Sequence, residues 1–304
     1  MRPKVELLTA FYGDLIDVQG MSPRISGFLE MQAAIATRYD ISLSHMACMY
    51  ITKVKGLQDY TLRLFKRSRN LIQREIDRGN VKELTLYSYP PQDNGGYCDD
   101  HEYISWVGYH DFSITNDLCV LSSKDMSSCD DDTSLECYLR EQMASAVNNF
   151  NLDYGFIAIM HTCDEPVSYG IGFQYNFVKL IIEQDRSALG DFGCISRKEI
   201  LRNVYPINYL SDVHLHLKVG NVCLRDWIAQ EEYRGEISQY ADGRYLWDIT
   251  GGKYTTETLS IYSPIVSKVR KEMEKEYLFA YEIYRRKVKD PPFWMTRKYD
   301  IREW

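Results

Sequence analysis

The stretch "RNVYPINYLSDVHLHLKVG" (residues 202–220) holds His214 and His216, two of the chain's 6 histidines, separated by one residue in an apolar run. Imidazoles at that spacing can ligate a metal ion or exchange protons near neutral pH. Read as a strand, the segment places both rings on one face, and a metal there would need a third ligand, for which His161, His110 and Asp212 are the candidates. The plainer reading of the same strand buries Val213, Leu215 and Leu217 and leaves the histidines on the wetter side. A second constellation, "IMHTCDE", gathers His161, Cys163, Asp164 and Glu165. A catalytic cysteine needs a base that holds it as thiolate, so this is the place for a Cys–His hydrolase, although the acids suggest a loop. Asp130, Asp131 and Asp132 offer oxygen ligands for a hard cation, but the glycine and distal glutamate of a calcium loop are missing. There is no phosphate-binding loop and no nucleophile elbow. Gly170 and Gly172 lack the third glycine of a dinucleotide fingerprint. No cofactor is expected.

These groups depend on the elements that carry them. "KVELLTAFYG", "MACMYITKV" and "KELTLYSYP" read as strands. Between them lie a helix opening at Ser22 and Pro23, and a second over residues 59–79, capped by Asp59 and closed by Gly79. Further strands are expected at "YISWVGYHDFSI" and "DLCVLSS", an antiparallel pair, and at "DYGFIAIMH". Between these last two, a helix carries Leu135, Leu139, Met143 and Val147. Short helices are expected at "FVKLIIEQD" and at "SRKEILRNV", where Ser196 and Glu199 fit a capping box. Another spans "LRDWIAQEEYRG", and "ADG" marks a hairpin in "GEISQYADGRYLWDIT". A long C-terminal helix is expected from Pro264 to about Val288. The sum is an α+β fold, a mixed or antiparallel sheet packed with helices. It is read as one body over residues 1–304, with lobes 1–91 and 92–304 as the alternative division.

Composition narrows the function classes. The chain has 304 residues, 45% hydrophobic and 26% charged, the balance of a folded globular protein. Its 24 tyrosines favour half-buried sheets and recognition surfaces. The 8 cysteines form no C-x-x-C pair and are read as reduced thiols. With no secretory leader and no run of about 18 apolar residues, the expectation is a cytoplasmic protein with no membrane partner. The net charge of −7 is unevenly spread. Residues 53–79 hold eight basic and three acidic side chains, so the helix at 59–79 is a candidate nucleic-acid contact. Residues 92–141 hold twelve acids against Lys124 and Arg140. Asp99, Asp100, Glu102, Asp130, Asp131 and Asp132 are therefore the candidate contacts for a basic protein partner.

Residues 200–250 carry a pattern: Tyr205, Pro206 and Asn208, then Leu210, Ser211, His214 and Leu215, then Leu224, Trp227 and Ile228, then Gly235 and Trp247. This resembles predicted immunity proteins of bacterial polymorphic-toxin systems. The resemblance implies a non-enzymatic antidote that binds and blocks a toxin made by the same cell, a basic nuclease being one such toxin. Within the pattern, Tyr205, Trp227 and Trp247 read as large anchors, Pro206 and Asn208 as a turn before the strand, and His214 as a hydrogen-bonding structural residue. His216 falls outside it.

Overall fold

The computed structural model describes residues 4–14, 18–52, 56–58, 63–89, 102–110, 117–126, 132–162, 200–240 and 242–279. Its contacts divide the chain into two units. One comprises Leu8–Asp111 and Asn116–Leu152, the other Met1–Leu7, Phe112–Thr115 and Asp153–Trp304. The division cuts strand β1 (Lys4–Asp14) after Leu7.

In the first unit the strands run in the order β1, β7 (Asp117–Asp125), β6 (Tyr103–His110), β5 (Val81–Ser88), β2 (His45–Thr52), β3 (Gly56–Gln58), with the short β4 (Arg63–Leu64) also on β2. β2, β5, β6 and β7 pair antiparallel. Their apolar residues explain this: Leu84, Leu86, Val107, Val120 and Leu121 are all buried. Three helices complete the unit: α1 (Val18–Arg38), α2 (Phe65–Asp77) and α3 (Asp132–Asn149). Phe28 of α1 meets Phe150, just past α3, edge to face, and Tyr39, just past α1, meets Tyr138 of α3 in the same way. α3 buries Leu135, Leu139, Met143 and Val147, the stripe expected from its sequence.

Two helix starts differ from the sequence reading. α1 begins at Val18, so Ser22 is not its cap, and Pro23 lies inside the helix as its sixth residue. Proline at that position has no N–H for the helical bond to the residue four earlier, a cost the helix carries. α2 begins at Phe65, not after Asp59, because Arg63 and Leu64 are drawn into pairing with Met46 and His45. Residues 59–62 lie outside the described set. Ser68, Ile72 and Ile76, four residues apart, form its buried face.

In the second unit the order is β12 (Glu236–Gln239), β13 (Tyr245–Asp248), β9 (Ile207–Leu210), β8 (Leu152–Thr162). The hairpin of β12 and β13 forms as expected, with Gln239 opposite Tyr245. A two-stranded ribbon joins β10 (Lys218–Val219) to β11 (Val222–Cys223). The helices are α4 (Asp212–Leu215), α5 (Leu224–Ala229), a 3₁₀ turn at Glu232–Arg234, and α6 (Pro264–Met273). The single helix expected across "LRDWIAQEEYRG" is thus two pieces. Gly235 then takes φ +89°, and a Cβ there would lie 2.2 Å from the Asp248 carbonyl oxygen, so only glycine fits.

The C-terminal helix α6 starts where expected, with Pro264 in its first turn and Ser263 Oγ accepting from the Val266 N–H. It ends at Met273, and the chain leaves the helix in time for the Tyr277 hydroxyl to accept the Leu201 N–H at 2.8 Å. Residues 280–304 lie outside the description, as do "FVKLIIEQD", Ser196 and Glu199. Residues 200–204, expected to end a helix, are irregular. Their backbone is held instead by side chains, the Arg202 N–H by the Tyr154 hydroxyl and the Val204 N–H by Asn203 Oδ1. Among the described residues Cys48, Cys119, Cys137 and Cys223 are free thiols, and no helix is long and apolar enough to cross a membrane.

Candidate functional site

The pattern at residues 205–247 assembles around two linked clusters in the second unit. The first is built on Asn208, which stands in β9 between Phe156 of β8 and Trp247 of β13. Its side chain clamps Tyr205 twice: Nδ2 donates to the Tyr205 carbonyl at 2.7 Å, and Oδ1 accepts the Tyr205 N–H at 3.1 Å. The clamp turns the chain at Pro206 and lays the Tyr205 ring on Phe156, with centroids 3.8 Å apart and planes 8° from parallel. The guanidinium of buried Arg202 lies 5.3 Å from the Phe156 ring.

His214 belongs to this cluster. The segment holding it is the helix α4, not a strand, so His214 and His216 do not share a strand face. His214 is fully buried. Its Nδ1 accepts the Ser211 N–H at 3.2 Å and lies 2.8 Å from Ser211 Oγ. The residue fills the place that Glu or Gln takes in a capping box. A ring nitrogen that accepts a backbone N–H has its lone pair occupied. His216 caps the other end of α4, with 70% of its side chain exposed, its Nδ1 2.8 Å from the Asp212 carbonyl oxygen. The strand reading is corrected on this geometry: the two imidazoles serve opposite ends of one helical turn. The expected burial fails at Val213, which is 54% exposed, and at His214, which is buried, and holds at Leu215, which is buried, and His216, which is exposed. His161 lies in β8 with its side chain outside the described set, and Cys163 is outside it altogether. Among the described residues no three His, Cys, Asp or Glu side chains gather as a metal-binding group.

The second cluster is organised by Arg234, which the sequence reading passed over. The buried guanidinium stacks 3.8 Å from the Trp227 ring centroid. One terminal nitrogen donates to the Trp227 carbonyl, and the other to Glu272 Oε1 at 2.7 Å. Its own carbonyl accepts the indole N–H of fully buried Trp247 at 2.7 Å. Tyr233 donates its hydroxyl to Glu272 Oε2. The Arg234 and Tyr233 hydrogen bonds hold the Glu272 carboxyl below the usual carboxylate range, and the same carboxylate pushes the Tyr233 phenol up. The sequence signal for Arg234 was its place one residue before a required glycine, between two pattern tryptophans.

The candidate partner-binding acids are less well placed. Glu102 is exposed just ahead of β6, and Asp132 opens α3 with its side chain outside the description. Asp99, Asp100, Asp130 and Asp131 lie outside the described residues. On α2, Lys66, Arg67, Arg69 and Arg74 are exposed on the side away from Ile72 and Ile76, and Arg69 lies 5.9 Å from the Phe65 ring.

No family model matches the chain, and no curated protein matches it. Among solved structures it is similar to one titled Pseudomonas aeruginosa T6SS protein PA0821. The TM-score is 0.47 at 9% identity, over 89% of this chain and 73% of that one.

Proposed function

We propose that the chain is a non-enzymatic binding protein of the immunity class, which captures and blocks a protein toxin made by the same cell. The observation that carries this reading is the use made of the pattern residues. Tyr205, Asn208, His214, Trp227 and Trp247 are buried and engaged in stacking, capping and backbone clamps. A pattern spent wholly on a scaffold leaves recognition to the surface around it, which is how a binding protein divides its residues. The toxin is read as basic, met by Asp99, Asp100, Glu102, Asp130, Asp131 and Asp132 across a field of complementary sign. Co-expression with the product of the adjacent gene tests this. The expected result is a complex that survives purification, with growth restored to cells that carry the toxin. Recovery of both proteins unbound, with no relief of toxicity, would overturn it.

A second reading rests on α2, whose exposed Lys66, Arg67, Arg69 and Arg74 form a cationic helix face. It predicts nucleic-acid binding that weakens steeply with salt and is lost when Arg67 and Arg69 are both replaced by Glu. Binding that ignores salt, or survives that double replacement, would remove this reading.

A further inference from the structure

Beside the Arg234 cluster lies an open groove of about 610 Å³, lined by Tyr233, Ser267, Lys268, Lys271, Glu272 and Lys275. Its floor is Tyr233, with Lys268 Nζ 3.3 Å from the ring centroid. The Glu272 carboxylate is engaged by Arg234 and Tyr233 and also feels the Lys275 charge, which leaves three lysines in the lining against one carboxylate. Lys268, Lys271 and Lys275 are exposed along one side of α6 and the turn that follows. Lys271 lies in the last turn of α6 and Lys275 in the turn that follows it, four residues on.

We infer that this groove receives an extended acidic segment of a protein partner, with carboxylates on alternate residues. Three observations favour that ligand. The groove is open to solvent and not an enclosed cavity, which suits a chain better than a buried small molecule. One helical turn separates Lys271 from Lys275 by roughly 6 Å, close to the roughly 6.6 Å between alternate side chains of an extended peptide. Lys268, Lys271 and Lys275 bring three positive charges to the lining against the single Glu272 carboxylate, a field that suits an acidic chain. The Lys268 ammonium covers one face of the Tyr233 ring, which holds that charge at the groove. A net charge of −7 on the chain disfavours a polyanion as large as nucleic acid. The inference stands apart from neutralisation: a chain that failed to block a toxin could still hold such a segment, and the reverse.

The test is fluorescence anisotropy of a labelled alternating glutamate–serine hexapeptide with the full chain at low ionic strength, about 10 mM, where screening is weak. The expected result is saturable binding, weakened about tenfold or more in the variant carrying Lys271→Glu and Lys275→Glu. Both side chains are exposed, so circular dichroism is expected to show an unchanged fold. Lys268→Gln, which removes one charge and reverses none, is expected to weaken binding less than the double reversal. The matching glutamine–serine peptide should not bind. Equal binding of the two peptides, binding untouched by the double reversal, or tighter binding of an oligothymidylate of the same length would each overturn the inference.

Discussion

Trp247→Ala is expected to lower the unfolding free energy by about 3–5 kcal/mol, the range for truncating a fully buried large aromatic. The indole is 0% exposed, sits opposite Asn208 and Ile237 on its two neighbouring strands, and donates to the Arg234 carbonyl. Removing it opens a cavity between both clusters and frees a buried acceptor. Trp247→Phe keeps most of the volume and gives up the hydrogen bond, so about 1–2 kcal/mol is expected. Urea unfolding followed by circular dichroism reads both. A Trp247→Ala midpoint equal to the parent's would show that the pattern residues are not the scaffold described above.

The second large effect lies in the other unit, where Gln32, Gln142 and Tyr103 close a ring of hydrogen bonds inside the core. The Tyr103 hydroxyl donates to Gln32 Oε1. Gln32 Nε2 donates to Gln142 Oε1 at 2.9 Å and to Ser145 Oγ at 3.0 Å, and Gln142 Nε2 returns to Tyr103 at 3.3 Å. All four residues are buried. Gln32→Leu strands the remaining polar groups, with an expected cost of about 3 kcal/mol. Adding Gln142→Leu and Tyr103→Phe removes the stranded groups of those two residues, leaving the Ser145 hydroxyl, and is expected to recover much of the loss. That non-additivity is what marks a closed network. Burial pushes the Tyr103 phenol up to about 12. Because the fold favours the neutral phenol, its contribution is complete below the unfolded value of about 10 and is lost as pH rises towards the folded value. A Gln32→Leu cost that persists unchanged in the triple variant would contradict the ring.

Much of the secondary structure was legible because strands and helices here carry their periods openly. "DYGFIAIMH" and "YLWD" read as strands, and the stripe of α3 runs at helical steps. What failed was local context. His214 and His216 looked like strand neighbours because the apolar run around them alternates, yet Ser211 nucleates a single helical turn there. Arg63 and Leu64 looked helical, but β2 offers backbone partners that outweigh propensity. Gln32 and Gln142 were visible in outline: each falls within an apolar helical stripe, Gln32 between Phe28 and Ile35, Gln142 beside Leu139 and Met143. A polar residue at such a phase must find a partner across the core, and only the fold shows which. Arg234 was hidden for a different reason. Its partners Trp227, Trp247 and Glu272 lie up to 38 positions away, and an arginine in a polar stretch reads as surface.

The proposed role is stoichiometric binding, not turnover. The deciding measurement titrates a fixed amount of the proposed toxin with the purified chain and assays residual toxin activity. Binding predicts a linear fall that reaches its floor near one chain per toxin molecule. Loss of activity at a small fraction of that ratio, growing with time, would mean that the chain is an enzyme acting on the toxin or its product. Undiminished activity at large excess would contradict the claim altogether.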